Sequence, residues 1–103
     1  MRTVATKNTG LSSELLQQIV GVLLRHADPK KIILYGSRAR GDYSAKSDID
    51  IAIEPGDGKS FFRNVVDDEI RTLLKIEIIS LDEAPEHLRR QMDEEGIVLY
   101  EKA

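Results

Sequence analysis

The 103-residue chain contains no cysteine, so neither a disulfide framework nor a thiolate metal site is available to it. It also lacks an excess of positive charge: 15 Lys and Arg against 18 Asp and Glu leave a formal net charge of −3. That balance argues against a free-standing nucleic-acid binder, which would present a basic face to the phosphates. No apolar run approaches the ~20 residues of a membrane span. Residues 1–10 lack the apolar segment of a signal peptide. The expectation is a cytoplasmic protein with neither a membrane nor a nucleic acid as direct partner. There is no internal repeat, low-complexity segment or linker. What is present is ordinary globular material, 41% hydrophobic and 32% charged, in a length that suits one domain.

Residues 1–10 are polar and unpatterned, and a flexible N-terminal tail is expected there, followed by one domain over 11–103. Leu15, Leu16, Ile19, Val20, Val22 and Leu23 recur at helical spacing, with Ser12 or Ser13 placed to cap. Pro29 disfavours helix at Asp28 and ends the run. "KIILYG" reads as a short buried strand, "DIDIAIEPG" as a second, "KIEIIS" as a third and "IVLY" as a last one. "SFFRNVVDDEIRTLL" predicts a helix with Phe62, Val66, Ile70 and Leu73 on one face, and "APEHLRRQMDEEG" a mixed-charge helix stopping at Gly96. The fold class expected is α/β (α+β): a small mixed β-sheet with helices on one face. In "DIDIAIEPG" the alternation puts Ile49, Ile51 and Ile53 on the apolar face and Asp48, Asp50, Ala52 and Glu54 on the other. The acid-bearing face is expected to be open.

Asp48, Asp50 and Glu77 can converge if the second and third strands are neighbours. Such a cluster of like charges is costly unless cations neutralise it. Mg²⁺ suits the role, because it takes oxygen ligands and sits between carboxylates and substrate phosphates. Two such ions about 3.5–4 Å apart clamp the attacking and leaving oxygens of a displacement at phosphorus. The bland alternative for a bare D-x-D is a solvated polar face, with Asp48 capping a turn after Ser47. Upstream, Gly36 and Ser37 end a strand in a turn whose amides and hydroxyl suit a phosphate. Arg38, Arg40 and Lys46 make that segment the densest basic cluster before the acids. The alternative there is a plain turn with surface arginines. His26, near a helix C-terminus, is read as a dipole partner. His87 has no fellow ligand for zinc. Tyr35 is read as packing, and Tyr43 either rests on an adenine or does nothing specific.

Gly36-Ser37, ten intervening residues and Asp48-x-Asp50 resemble the G-S-x10-D-x-D motif of polymerase β-like nucleotidyltransferases. The whole string "GSRARGDYSAKSDIDIAI" is similar to the minimal nucleotidyltransferases, the MNT partners of HEPN-domain proteins, and the element order from Ser12 to about Tyr100 agrees with such a catalytic core. The resemblance implies a turn at Gly36 and Ser37 that holds the β- and γ-phosphates of ATP, with Arg38 and Arg40 as further nucleotide-binding residues. It implies Asp48 and Asp50 as ligands of two Mg²⁺ ions. The third acid of the superfamily, often Asp, corresponds here to Glu77, as a third metal ligand and the base for the attacking hydroxyl.

Larger nucleotidyltransferases carry a further domain for the acceptor, and nothing in these residues is left over for one, so the acceptor is expected to be a protein. In the family resembled, that partner is a HEPN-type ribonuclease toxin, and the MNT protein is an antitoxin that transfers AMP from ATP to a toxin tyrosine. Two other functions are weighed against this one: an antitoxin that neutralises by binding alone, and nucleotidyl transfer to a small molecule such as an aminoglycoside.

Overall fold

Ser12 starts the first helix by accepting a hydrogen bond from the Leu15 amide at 3.0 Å, and the helix α1 runs over Ser13–His26. The computed structural model describes residues 2–3, 9–55, 70 and 72–102. Leu16, Ile19, Val22 and Leu23 turn the buried stripe of α1 inward, as the helical period requires. Asp28 takes a left-handed backbone, φ 44°, and the chain turns through a buried Pro29 into strand β2, Lys31–Tyr35.

A single turn of helix, α2 (Ser37–Arg40), follows β2 directly. Strand β3 is Ile49–Glu54 and strand β4 is Ile76–Ser80. A 3₁₀ turn, Leu81–Glu83, leads to helix α3, Glu86–Glu95, and strand β5, Ile97–Glu101. With the two-residue strand β1, Arg2–Thr3, the sheet order is β1-β5-β2-β3-β4. β2 is antiparallel to both β3 and β5, whereas β4 runs parallel to β3 and β1 parallel to β5. The sheet is therefore mixed and the α/β (α+β) class read from the sequence holds, with helices packed on both faces where one was expected.

Alternation along β2 and β3 divides the core. Ile32, Leu34, Ile49, Ile51 and Ile53 pack with the α1 residues, Ile78 and Ile97 in the larger cluster. Ile33 and Ala52 point the other way, into a smaller cluster with Ala84 and Met92 of α3. The acid-bearing face is thus covered over part of its area, because α3 buries Met92 against β2, and what stays open is the end carrying Asp48 and Asp50.

Two expectations concern segments that the structure describes only in part. Within the segment expected to be a tail, Thr9 is buried and its carbonyl accepts a hydrogen bond from the Arg38 guanidinium, while Arg2 and Thr3 pair with Ile97 and Val98. The helix expected from "SFFRNVVDDEIRTLL" lies largely outside the described residues. Of its apolar face, Ile70 is buried in the larger cluster, but Leu73 sits in a bend and is fully exposed at 106%. Among the described residues no helix is long and apolar enough to cross a membrane.

Candidate active site

Strand pairing sets the centre of the site. Tyr35 of β2, Asp50 of β3 and Glu77 of β4 fall in one cross-strand row, since Tyr35 pairs with Asp50 and Asp50 with Glu77. Side chains opposite each other on adjacent strands share a face, so the two carboxylates lie on the same side. Asp48 precedes β3 by one residue and is exposed, whereas Asp50 is half-buried.

Charge in this row is poorly balanced. Burial, first, and then the neighbouring Asp48 and Glu77 carboxylates push the Asp50 carboxyl above its usual value, and Arg40 pulls the other way. Glu77 Oε1 accepts from Lys75 Nζ at 2.7 Å, which raises the exposed Lys75 ammonium above the ordinary lysine value. The strands bearing the acids are neighbours, yet among the described residues no three His, Asp or Glu side chains are gathered tightly enough to hold an ion. The donors are nevertheless all carboxylate oxygens that repel one another, which is the chemistry a hard divalent cation relieves.

The Gly36-Ser37 turn lies against this row. Gly36 has φ 77° and ψ −156°, a conformation open essentially to glycine alone. A Cβ added there would collide with the Asp50 carboxylate oxygen Oδ2. The absence of a side chain at Gly36 is therefore what lets the turn approach the acid. The amides of Ala39 and Arg40 then close back on the Gly36 carbonyl at 3.1 and 3.0 Å.

The two arginines of the turn have opposite fates. Residues two apart on a helical turn are separated by about 200°, so one faces the site while the other faces the protein. Arg40 remains near Asp50 and contacts Asp42 at 3.3 Å and Glu95, at the end of α3, at 3.7 Å. Arg38, expected beside it as a nucleotide-binding residue, is only 2% exposed. Its Nε donates to the Ser47 carbonyl at 3.2 Å, Nη1 to Thr9 at 3.0 Å, and Nη2 to Ser44 and Ala45 at 3.4 Å each. The Tyr43 ring lies under the guanidinium, 5.1 Å from its centroid. Those contacts hold the Arg38 guanidinium inside the protein, with the Tyr43 ring packed against it. Sequence reasoning missed this because it counted the arginines together; the i, i+2 spacing on a helical turn was the available signal. The pair of Lys75 with Glu77 follows from the alternation of the strand, which puts residues two apart on one face.

Comparison with known proteins agrees with this geometry. Residues 17–103 match the family described as Polymerase beta, Nucleotidyltransferase. A protein of Methanocaldococcus jannaschii named "Putative protein adenylyltransferase MJ0604" is 41% identical over 81 residues, covering 69% of this chain and 78% of that protein. A second from the same organism, "Putative protein adenylyltransferase MJ0435", is 42% identical over 48 residues, covering 47% of this chain and 50% of that one. Among solved structures, a toxin-antitoxin crystal structure with AMP-PNP superposes with a TM-score of 0.66 at 22% identity, covering 84% of this chain and 73% of that one. At that identity the superposition speaks for the fold alone. The chain belongs to the polymerase β nucleotidyltransferase family, the superfamily that its segment 36–53 resembles.

Proposed function

We propose that the protein is a Mg²⁺-dependent nucleotidyltransferase that moves AMP from ATP to a tyrosine hydroxyl of a HEPN-type ribonuclease toxin, acting as its antitoxin in the cytoplasm. The observation that carries the reading is the cross-strand row of Asp50 and Glu77 with Asp48 beside it and Gly36 pressed against Asp50. A turn suited to phosphate and a set of mutually repelling carboxylates then share one corner of the sheet. The names of the two archaeal relatives support adenylyl transfer to protein.

In this reading Asp48, Asp50 and Glu77 hold the metal, and Gly36, Ser37 and Arg40 hold the triphosphate. When bound, Mg²⁺ supplies neutralisation of the triphosphate charge at the reacting phosphorus. Arg40 keeps a cation facing the site while its contacts with Asp42 and Glu95 are at the surface and exchangeable. The acceptor oxygen attacks the α-phosphorus, the bond to the bridging oxygen of the β-phosphate breaks, and pyrophosphate departs with that bond's electrons. The acceptor's proton passes to a Glu77 carboxylate oxygen, which first gives up its contact with the exposed Lys75. The outer face of α3, from which only Met92 is buried, is a surface on which a protein acceptor can dock.

Label from α-³²P-ATP is expected on a co-expressed toxin partner with the wild-type chain and to fall to background with Asp48→Asn plus Asp50→Asn. Undiminished transfer by the double variant would sink the metal assignment. The contact of Glu77 with Lys75 favours one second reading, neutralisation by binding alone. It predicts that the double variant still protects cells while no AMP is transferred.

A further inference from the structure

We infer that Arg38 is a positioning residue that sets the Asp48 carboxylate for the metal, and that it makes no contact with the nucleotide. The inference rests on the proposed metal role of Asp48 and goes beyond it. A buried guanidinium is tolerable only when its donors are met, and four carbonyls together with the Tyr43 face meet them here. Three of the four, from Ser44, Ala45 and Ser47, belong to the turn that delivers the chain to Asp48.

The Ser47 carbonyl lies in the peptide that enters Asp48, and Arg38 Nε holds it. The peptide leaving Asp48 is held as well, because the Ile49 amide donates to the Lys75 carbonyl at 2.8 Å. The Asp48 backbone is therefore clamped on both sides, by the guanidinium before it and by the entry to β4 after it. Local bonds shape the same turn: the Ser47 amide donates to the Ser44 carbonyl at 3.1 Å and the Ser44 amide to Ser47 Oγ at 2.8 Å. Those bonds give the turn its shape, and Arg38 ties that shape to α2, to Thr9 and hence to the core. Gly10 completes the seat. At φ 73° it passes so close to Tyr43 and Arg38 that a Cβ there would strike both.

A lysine at position 38 keeps the charge but loses the planar fork that reaches several carbonyls at once. The test is Mn²⁺ binding, followed by the electron paramagnetic resonance of the free ion, for wild type, Arg38→Lys, Asp48→Asn and the double variant. Thermal midpoints are recorded alongside, and no turnover is required. Arg38→Lys is expected to melt in one transition and to weaken Mn²⁺ binding about 10–100-fold, the usual loss when a ligand's supporting partner goes. Combined with Asp48→Asn it should add nothing further, since both act through one carboxylate. Additive losses in the double variant would overturn the inference. So would wild-type Mn²⁺ affinity in Arg38→Lys when Asp48→Asn alone is impaired. If Asp48→Asn itself binds Mn²⁺ normally, the metal reading of Asp48 fails, and the positioning role fails with it. Should Arg38→Lys not fold, Tyr43→Leu removes the ring on which the guanidinium is seated and so loosens its hold on the turn carbonyls, and a loss of Mn²⁺ affinity is expected that disappears when the change is combined with Asp48→Asn. Unchanged binding in Tyr43→Leu would then contradict the inference.

Discussion

The two faces of β3 divide its six residues between them and serve opposite ends. Ile49, Ile51 and Ile53 enter the larger core cluster beneath α1, where each buried methylene contributes to stability. On the reverse, Ala52 alone joins the small cluster under α3, and Asp50 is left half-buried among like charges. One face holds the fold and the other is loaded against it. A strand can carry an electrostatically unfavourable site because its other face supplies the burial that tolerates it.

Substitutions on the two faces should therefore differ in sign. The largest effect is expected from Ile51→Ala, which removes buried volume at the centre of the sheet and should cost about 2–5 kcal/mol, read from the urea midpoint at constant m-value. Gly36→Ala comes next: strain at a glycine-only conformation is worth about 1–3 kcal/mol, and the collision with Asp50 should impair divalent-ion binding beyond any fall in stability. Calorimetric Mg²⁺ titration of the folded variant checks this, and wild-type affinity would break the claim that turn and acid are built as one corner.

Asp50→Asn should act in the opposite sense, raising the thermal midpoint in chelator by less than Ile51→Ala lowers it. The sign follows from linkage. With its folded-state value raised, the folded chain binds the Asp50 proton more tightly than the unfolded chain, so stability falls as pH rises through that range. The advantage of Asp50→Asn should thus be absent at pH below the carboxylate range and fully developed at neutral pH, which a pH series of midpoints will show. The smallest effect is expected for Lys75→Ala. Its pair with Glu77 is solvent-exposed and screened by water, so stability should barely change while Mn²⁺ affinity rises as Glu77 is freed.

Much of this was legible in the sequence because the signals are local. The alternation of Ile49, Ile51 and Ile53 with Asp48 and Asp50 fixes the two faces of β3, and Gly36 marks a backbone that no other residue would take. The hidden parts depend on non-local contacts. That Asp50 stands opposite Glu77 follows from the parallel register of β3 and β4, and no pattern within either strand contains it. The burial of Arg38 depends on the Thr9 carbonyl, 29 residues away, so charge counting placed it with Arg40. Thr9 itself looked like tail because nothing near it in sequence shows what holds it. The partial cover of the acid face was missed likewise, since Met92 of α3 finds its place only against Ile33 and Ala52.

The central claim is that the load on the acid face is relieved by a divalent cation and a triphosphate. The thermal midpoints of wild type and Asp50→Asn, each measured in chelator and again with Mg²⁺ and a non-hydrolysable ATP analogue, test it directly. The order should cross: Asp50→Asn the more stable in chelator, and wild type the more stable with metal and nucleotide, because only wild type gains from binding them. If Asp50→Asn stays ahead under both conditions, the acids of this face do not bind a metal-bound nucleotide, and the account is wrong.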